Sequence, residues 1–69
     1  MFWISSNDTV INLNLVQSFC KCEPIFKNGE YRIIFYFKSG QIEDLYQTES
    51  ERDEAFDYLV EKVLKDAVI

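Results

Sequence analysis

The chain has 69 residues, of which 48% are hydrophobic and 16% aromatic, with no histidine and a net charge of −5. That length allows one domain, residues 1–69, near the lower limit for folding without staples, and the aromatic-rich composition excludes a disordered chain. Residues 1–40 sum to +1 and residues 41–69 to −6, which argues against direct nucleic-acid binding through a basic patch and favours a basic protein surface as the complement.

The opening "MFWISSNDTV" has no basic n-region and no long apolar run, so it is not read as a signal peptide. Nothing in the chain approaches the ~18 consecutive apolar residues of a membrane span, and a cytoplasmic protein is expected. "FWIS" reads as a short first strand and "SNDT" as a turn. "VINLNLVQSFCKCE" alternates over Ile11, Leu13 and Leu15 until Val16 breaks the phase. A bulge or tight turn near Asn14-Leu15 would restore burial to Val16 and Phe19.

Cys20 and Cys22 of "CKC" share one face of that strand. A disulfide between such close neighbours would be strained, and zinc would need two more ligands in a chain with no other cysteine. Reduced, core-type cysteines are the expectation, with a redox pair or a subunit-bridging metal as the alternatives. Pro24 through Gly29 reads as a loop.

Two further strands lie near residues 30–38 and 41–47, joined as a hairpin at Ser39-Gly40. This register sets Lys38 opposite Gln41, Phe35 opposite Asp44 and Ile34 opposite Leu45. Tyr31, Ile33, Phe35 and Phe37 then form the richer apolar face, where a helix should pack. Ile34, Tyr36 and Leu45 form a second, smaller apolar set on the other face, edged by Arg32, Lys38 and Glu43.

From residue 48 the pattern is helical. Thr48 with Glu51 fits a capping box, with Ser50 and Asp53 as a second register. Ala55, Phe56, Leu59, Val60, Val63, Leu64 and Ala67 recur at helical spacing, and Lys62 and Lys65 suit the negative end of the dipole. Arg52 falls within the apolar stripe, and pairing with inward-pointing Asp44 is expected. Tyr58 lies opposite that stripe among Glu54, Glu61 and Lys65.

The expected fold is α+β: a curved four- to five-stranded antiparallel β-meander packed on one C-terminal amphipathic α-helix. The succession "FWI", "INLNLV", "YRIIFYFKSGQ" and amphipathic helix resembles small bacterial or phage-encoded proteins of unknown function with a strand meander and a closing helix.

No catalytic constellation is visible, because histidine is missing and Gly29 and Gly40 are too few for a phosphate loop. Asp53, Glu54 and Asp57 read as a solvated helix face, so no enzyme, cofactor, metal or small-molecule substrate is expected. A four-stranded sheet about 19 Å wide exceeds one helix about 10 Å across. A small interaction module is therefore expected, meeting a second copy of itself through the outer face at Ile34, Tyr36 and Leu45 or through an edge strand. The alternative is an acidic inhibitor, similar in size and charge to phage anti-defence proteins. It would occupy a partner's basic groove through Glu51, Glu54, Tyr58 and Glu61.

Overall fold

The computed structural model describes residues 1–25 and 29–67, with side chains through residue 64. Strand β1 (Phe2–Ile4) and strand β2 (Val10–Asn12) form a two-stranded antiparallel ribbon, followed by a 3-10 turn at Leu13–Leu15. Strands β3 (Ser18–Cys22), β4 (Tyr31–Phe37) and β5 (Gly40–Tyr46) form a second antiparallel sheet in the order β3-β4-β5. Helix α1 (Glu49–Ala67) follows β5. The fold is α+β as expected, but the five strands among the described residues divide into two sheets rather than one continuous meander.

The division falls where the hydrophobic alternation fails. The Asn12 side chain accepts the Asn14 N–H at 3.0 Å and caps the 3-10 turn, whose Leu13 carbonyl accepts the Val16 N–H. The backbone thus turns over three residues and re-enters an extended conformation at Val16. Val16 and Phe19 pack against the core, as the broken phase requires. The first loop of the ribbon needs one left-handed residue, and Asp8 supplies it at φ 63°.

The β4–β5 hairpin differs from its expected register by one residue at the turn. Phe37 pairs with Gly40, which makes Lys38-Ser39 the two-residue loop, and Gly40 takes the positive φ of 153°. Phe35 therefore sits opposite Ile42, Ile33 opposite Asp44, and Arg32 opposite Leu45. Each partner moves by two positions, so every side chain stays on its expected face.

Ile33 and Phe35 are sealed in the core with Ile11 of the ribbon and Leu59 of the helix. Phe19 meets Phe35 at 5.9 Å and, edge to face, Phe56 at 5.4 Å between ring centres. Helix α1 begins as its sequence dictates, with the Thr48 hydroxyl accepting the Glu51 N–H at 3.1 Å. Ala55 and Phe56 pack on the core, whereas Leu64 at the far end is exposed. The Lys65 and Ala67 side chains and part of the expected Pro24–Gly29 loop lie outside the described residues.

Arg52 and Asp44 are both buried, yet they do not pair. Arg52 lies at the end of β3, where Nη1 donates to the Cys22 carbonyl at 3.1 Å and Nη2 to Asp53 at 2.9 Å. Its guanidinium also stands 5.1 Å from the Tyr31 ring centre. Asp44 faces the ribbon instead. Its carboxylate accepts Trp3 Nε1–H at 3.2 Å, the Ser6 backbone N–H at 2.8 Å and the Tyr46 hydroxyl at 2.6 Å. The Ser6 hydroxyl lies 2.5 Å from both Asp44 Oδ1 and the Leu45 carbonyl, and donates to one of them at a time.

Replacing Asp44 orphans several of these donors together, at about 1–3 kcal/mol for each one left buried and dry. Asp44→Ala is expected to lose roughly 3 kcal/mol or more in urea denaturation, and Asp44→Asn, which keeps one acceptor oxygen, distinctly less. A loss for Asp44→Ala within ~0.5 kcal/mol, the range of an ordinary surface substitution, would refute the role assigned to the carboxylate.

Candidate interaction surfaces

Three surfaces carry side chains beyond what the core needs. The first is the ribbon. Trp3 and Ile11 pair across it and point into the protein, so alternation turns their neighbours outward. Phe2, Ile4 and Val10 share that outer face and are 64%, 65% and 62% exposed. The ribbon's backbone bonds alternate with the same period: Leu13 N–H donates to the Met1 carbonyl at 3.0 Å, and Ser5 N–H to the Thr9 carbonyl at 2.9 Å. Phe2, Ile4, Val10 and Asn12 are therefore the non-hydrogen-bonded positions, whose N–H and C=O groups point away from the partner strand. Asp8 is the only charged side chain in residues 1–20.

The second surface is the outer face of the three-stranded sheet. The three residues expected at a contact there have different fates. Ile34, opposite Cys20 and Glu43, is only 5% exposed and is already covered within the chain. Tyr36 and Leu45 are partly exposed. Arg32 spans the face with Nη1 on Glu43 at 2.7 Å and Nη2 on the Glu23 carbonyl at 3.3 Å. Cys20 and Cys22 lie on this same face with their Sγ atoms 3.7 Å apart. Burial and the neighbouring Cys20 push the Cys22 thiol up, while Arg32 partly offsets this.

The third surface is the acidic side of α1. Glu51, Glu54, Tyr58 and Glu61 are all exposed, as expected. Tyr58 is not a free ring, however. It packs against Trp3 at 5.8 Å between centres, and Lys62 Nζ lies 4.8 Å above it. Its expected neighbour Lys65 lies outside the residues whose side chains are described.

A shallow apolar cavity of about 320 Å³ lies between the 3-10 turn and the helix, lined by Leu13, Val16, Phe19 and Val63 with Gln17 and Ser18 at its rim. It brings together no titratable group. Among the described residues no group of three metal-ligating side chains converges, and no helix is long and apolar enough to cross a membrane. Set against protein-family models, curated proteins and solved structures, the chain matches none.

The sequence pattern locates the sheet face and the helix face directly, whereas Phe2, Ile4 and Val10 escape it unless the two strands of the ribbon are paired first. The signal is nonetheless present. If Trp3 faces inward, Phe2 and Ile4 must face outward, and an antiparallel partner adds Val10 beside Ile4.

At the base of the helix, the hydrogen bonds from Arg52 hold the Asp53 carboxylate below its ordinary pKa, with Lys21 at 3.5 Å adding to the effect. A carboxyl whose folded pKa is depressed contributes stability above its unfolded value and loses it as pH falls through the folded one. Asp53→Asn is thus expected to destabilise the protein at neutral pH. The gap from wild type should close on acidification below the ordinary aspartate pKa of 3.8. Urea melts across that pH range measure it, and a gap independent of pH would rule out the ionic contribution.

Proposed function

We propose that this chain is a small non-catalytic protein-interaction module that self-associates through the outer face of the β1–β2 ribbon. The observation that carries this reading is the exposure of Phe2, Ile4 and Val10 as one contiguous apolar set on a two-stranded ribbon. Large apolar residues scattered singly over a surface are ordinary, whereas a cluster on one face marks a contact.

Charge at the ribbon does not oppose a second copy as the occupant. A protein of net charge −5 repels its own kind, and here the excess of acid belongs to residues 41–69 while the ribbon is nearly neutral. Two ribbons laid face to face about a two-fold axis bury six large apolar side chains, three from each copy, with no like charges among them.

Sedimentation at rising concentration tests the proposal. Wild type should dimerise, with affinity unchanged or strengthened by salt, and Ile4→Lys/Val10→Lys should be a folded monomer with an unaltered circular dichroism spectrum. A wild-type monomer at high micromolar concentration would refute it. A dimer that survives this double substitution but is lost in Leu45→Lys would move the contact to the outer face of the three-stranded sheet.

The second reading, an acidic inhibitor of a basic groove, draws on Glu51, Glu54, Glu61 and the half-exposed Tyr58. Binding of that kind weakens steeply with salt. Salt-sensitive binding to a purified basic partner, abolished in Glu54→Lys/Glu61→Lys, would establish it; insensitivity to both changes would eliminate it.

A further inference from the structure

The cysteine pair on β3 has no role in the core. Cys20 and Cys22 are half-buried, point to the outer face of an edge strand, and hold their sulfurs 3.7 Å apart. That is far beyond an S–S bond of about 2.05 Å, and two positions of a strand close to a disulfide only with backbone strain. Two sulfurs on either side of one cation in a linear complex stand up to ~4.6 Å apart at metal–sulfur bond lengths of about 2.3 Å, a separation these two side chains reach by parting slightly about their own torsions. Zinc asks for four ligands. This chain has no histidine and no further cysteine, and among the described residues no third donor of metal-ligating type completes a group. A soft monovalent cation that is satisfied by two thiolates has no such shortfall.

The surroundings suit the charge of that complex. A bis-thiolate of a monovalent cation is an anion, and Arg32 stands directly across the ladder from Cys22. Two of its terminal nitrogens are engaged by Glu43 and the Glu23 carbonyl, but its buried Nε has no partner among the described residues. Dry Ile34 lies opposite Cys20, and Tyr36 is the next outward-facing residue along β4. The pair therefore has an apolar flank, a positive charge beside it, and partial exposure to solvent.

We infer that Cys20 and Cys22 form a two-thiolate site for a soft monovalent cation of the Cu(I) type, with Arg32 positioned to balance its charge. Binding exchanges two thiol protons for one Cu(I), converting two neutral thiols and a monovalent cation into a singly charged anionic complex and two released protons. The metal keeps its oxidation state, so no oxidant or reductant is consumed.

The test is an anaerobic titration of the fully reduced protein with Cu(I), supplied as its acetonitrile complex, against a chromogenic Cu(I) chelator. One Cu(I) per chain is expected, with an ultraviolet thiolate-to-copper band. Cys20→Ser and Cys22→Ser should each abolish the one-to-one complex, and Arg32→Gln should weaken it about tenfold, as removal of an outer-shell partner does. Should a serine variant unfold, wild type decides alone: bound Cu(I) must shield both thiols from iodoacetamide. Failure to compete with the chelator, or alkylation at the same rate with and without Cu(I), would overturn the proposal. So would Zn(II) bound at one ion per two chains in preference to Cu(I), because the site would then be half of a shared four-thiolate centre.

Discussion

The Asp44 carboxylate is the interaction on which the arrangement of this protein depends. It sits on the core face of β5, fully buried, with no cation beside it among the described residues. Taking a carboxylate out of water is costly, and here the compensation comes from oriented neutral donors rather than from an ion pair. Those donors belong to different parts of the chain: the Trp3 indole, the Ser6 backbone and the Tyr46 hydroxyl. Burial together with the bond to Asp44 pushes the Tyr46 phenol far up, so this donor keeps its proton throughout the ordinary pH range. The carboxylate thereby ties the ribbon to a sheet with which it shares no strand pairing.

That tie sets the orientation of the ribbon. Trp3, fixed by its indole N–H, packs on Tyr58 of the helix, and Ile11 beside it enters the core with Ile33, Phe35 and Leu59. Once those two residues face inward, the pleat leaves Phe2, Ile4 and Val10 no choice but solvent or a partner. The exposed apolar face is thus a consequence of how the ribbon is anchored. In a single continuous meander the same residues would have had sheet neighbours to share.

Most of the fold was legible because the dominant signals were local. The run from Tyr31 to Phe37 has one face too apolar to be anything but core, and the helix carries its own cap at Thr48 and its own stripe through Leu59. The burial of Arg52 within that stripe could also be read from spacing alone. Choices between near-equivalent partners could not be read in the same way. Lys38-Ser39 and Ser39-Gly40 are both acceptable hairpin loops, and they leave the same side chains on the same faces. Two inward-pointing groups of opposite charge invited pairing, but Arg52 reaches the end of β3 while Asp44 meets the ribbon, and that separation is set by tertiary packing. The break at Leu13–Leu15 was visible as a lost phase, yet its effect on sheet count depended on where the chain went next.

The candidate site shows the same limit more sharply. Ile34 reads as exposed because its strand neighbours on that face are Arg32 and Tyr36, and alternation assigns it to the outer side. The assignment is correct, but residence on an outer face does not guarantee exposure. Arg32 lies across that face, held by Glu43 and the Glu23 carbonyl, and long side chains of this kind cover apolar surface with their stems. The ribbon has no long charged side chain on either strand, since Asp8 is in its turn and the next charge is Lys21. A greasy patch without charged neighbours cannot be screened from within the chain. That difference, more than the count of apolar residues on each face, separates the exposed face of the ribbon from the covered Ile34 of the sheet.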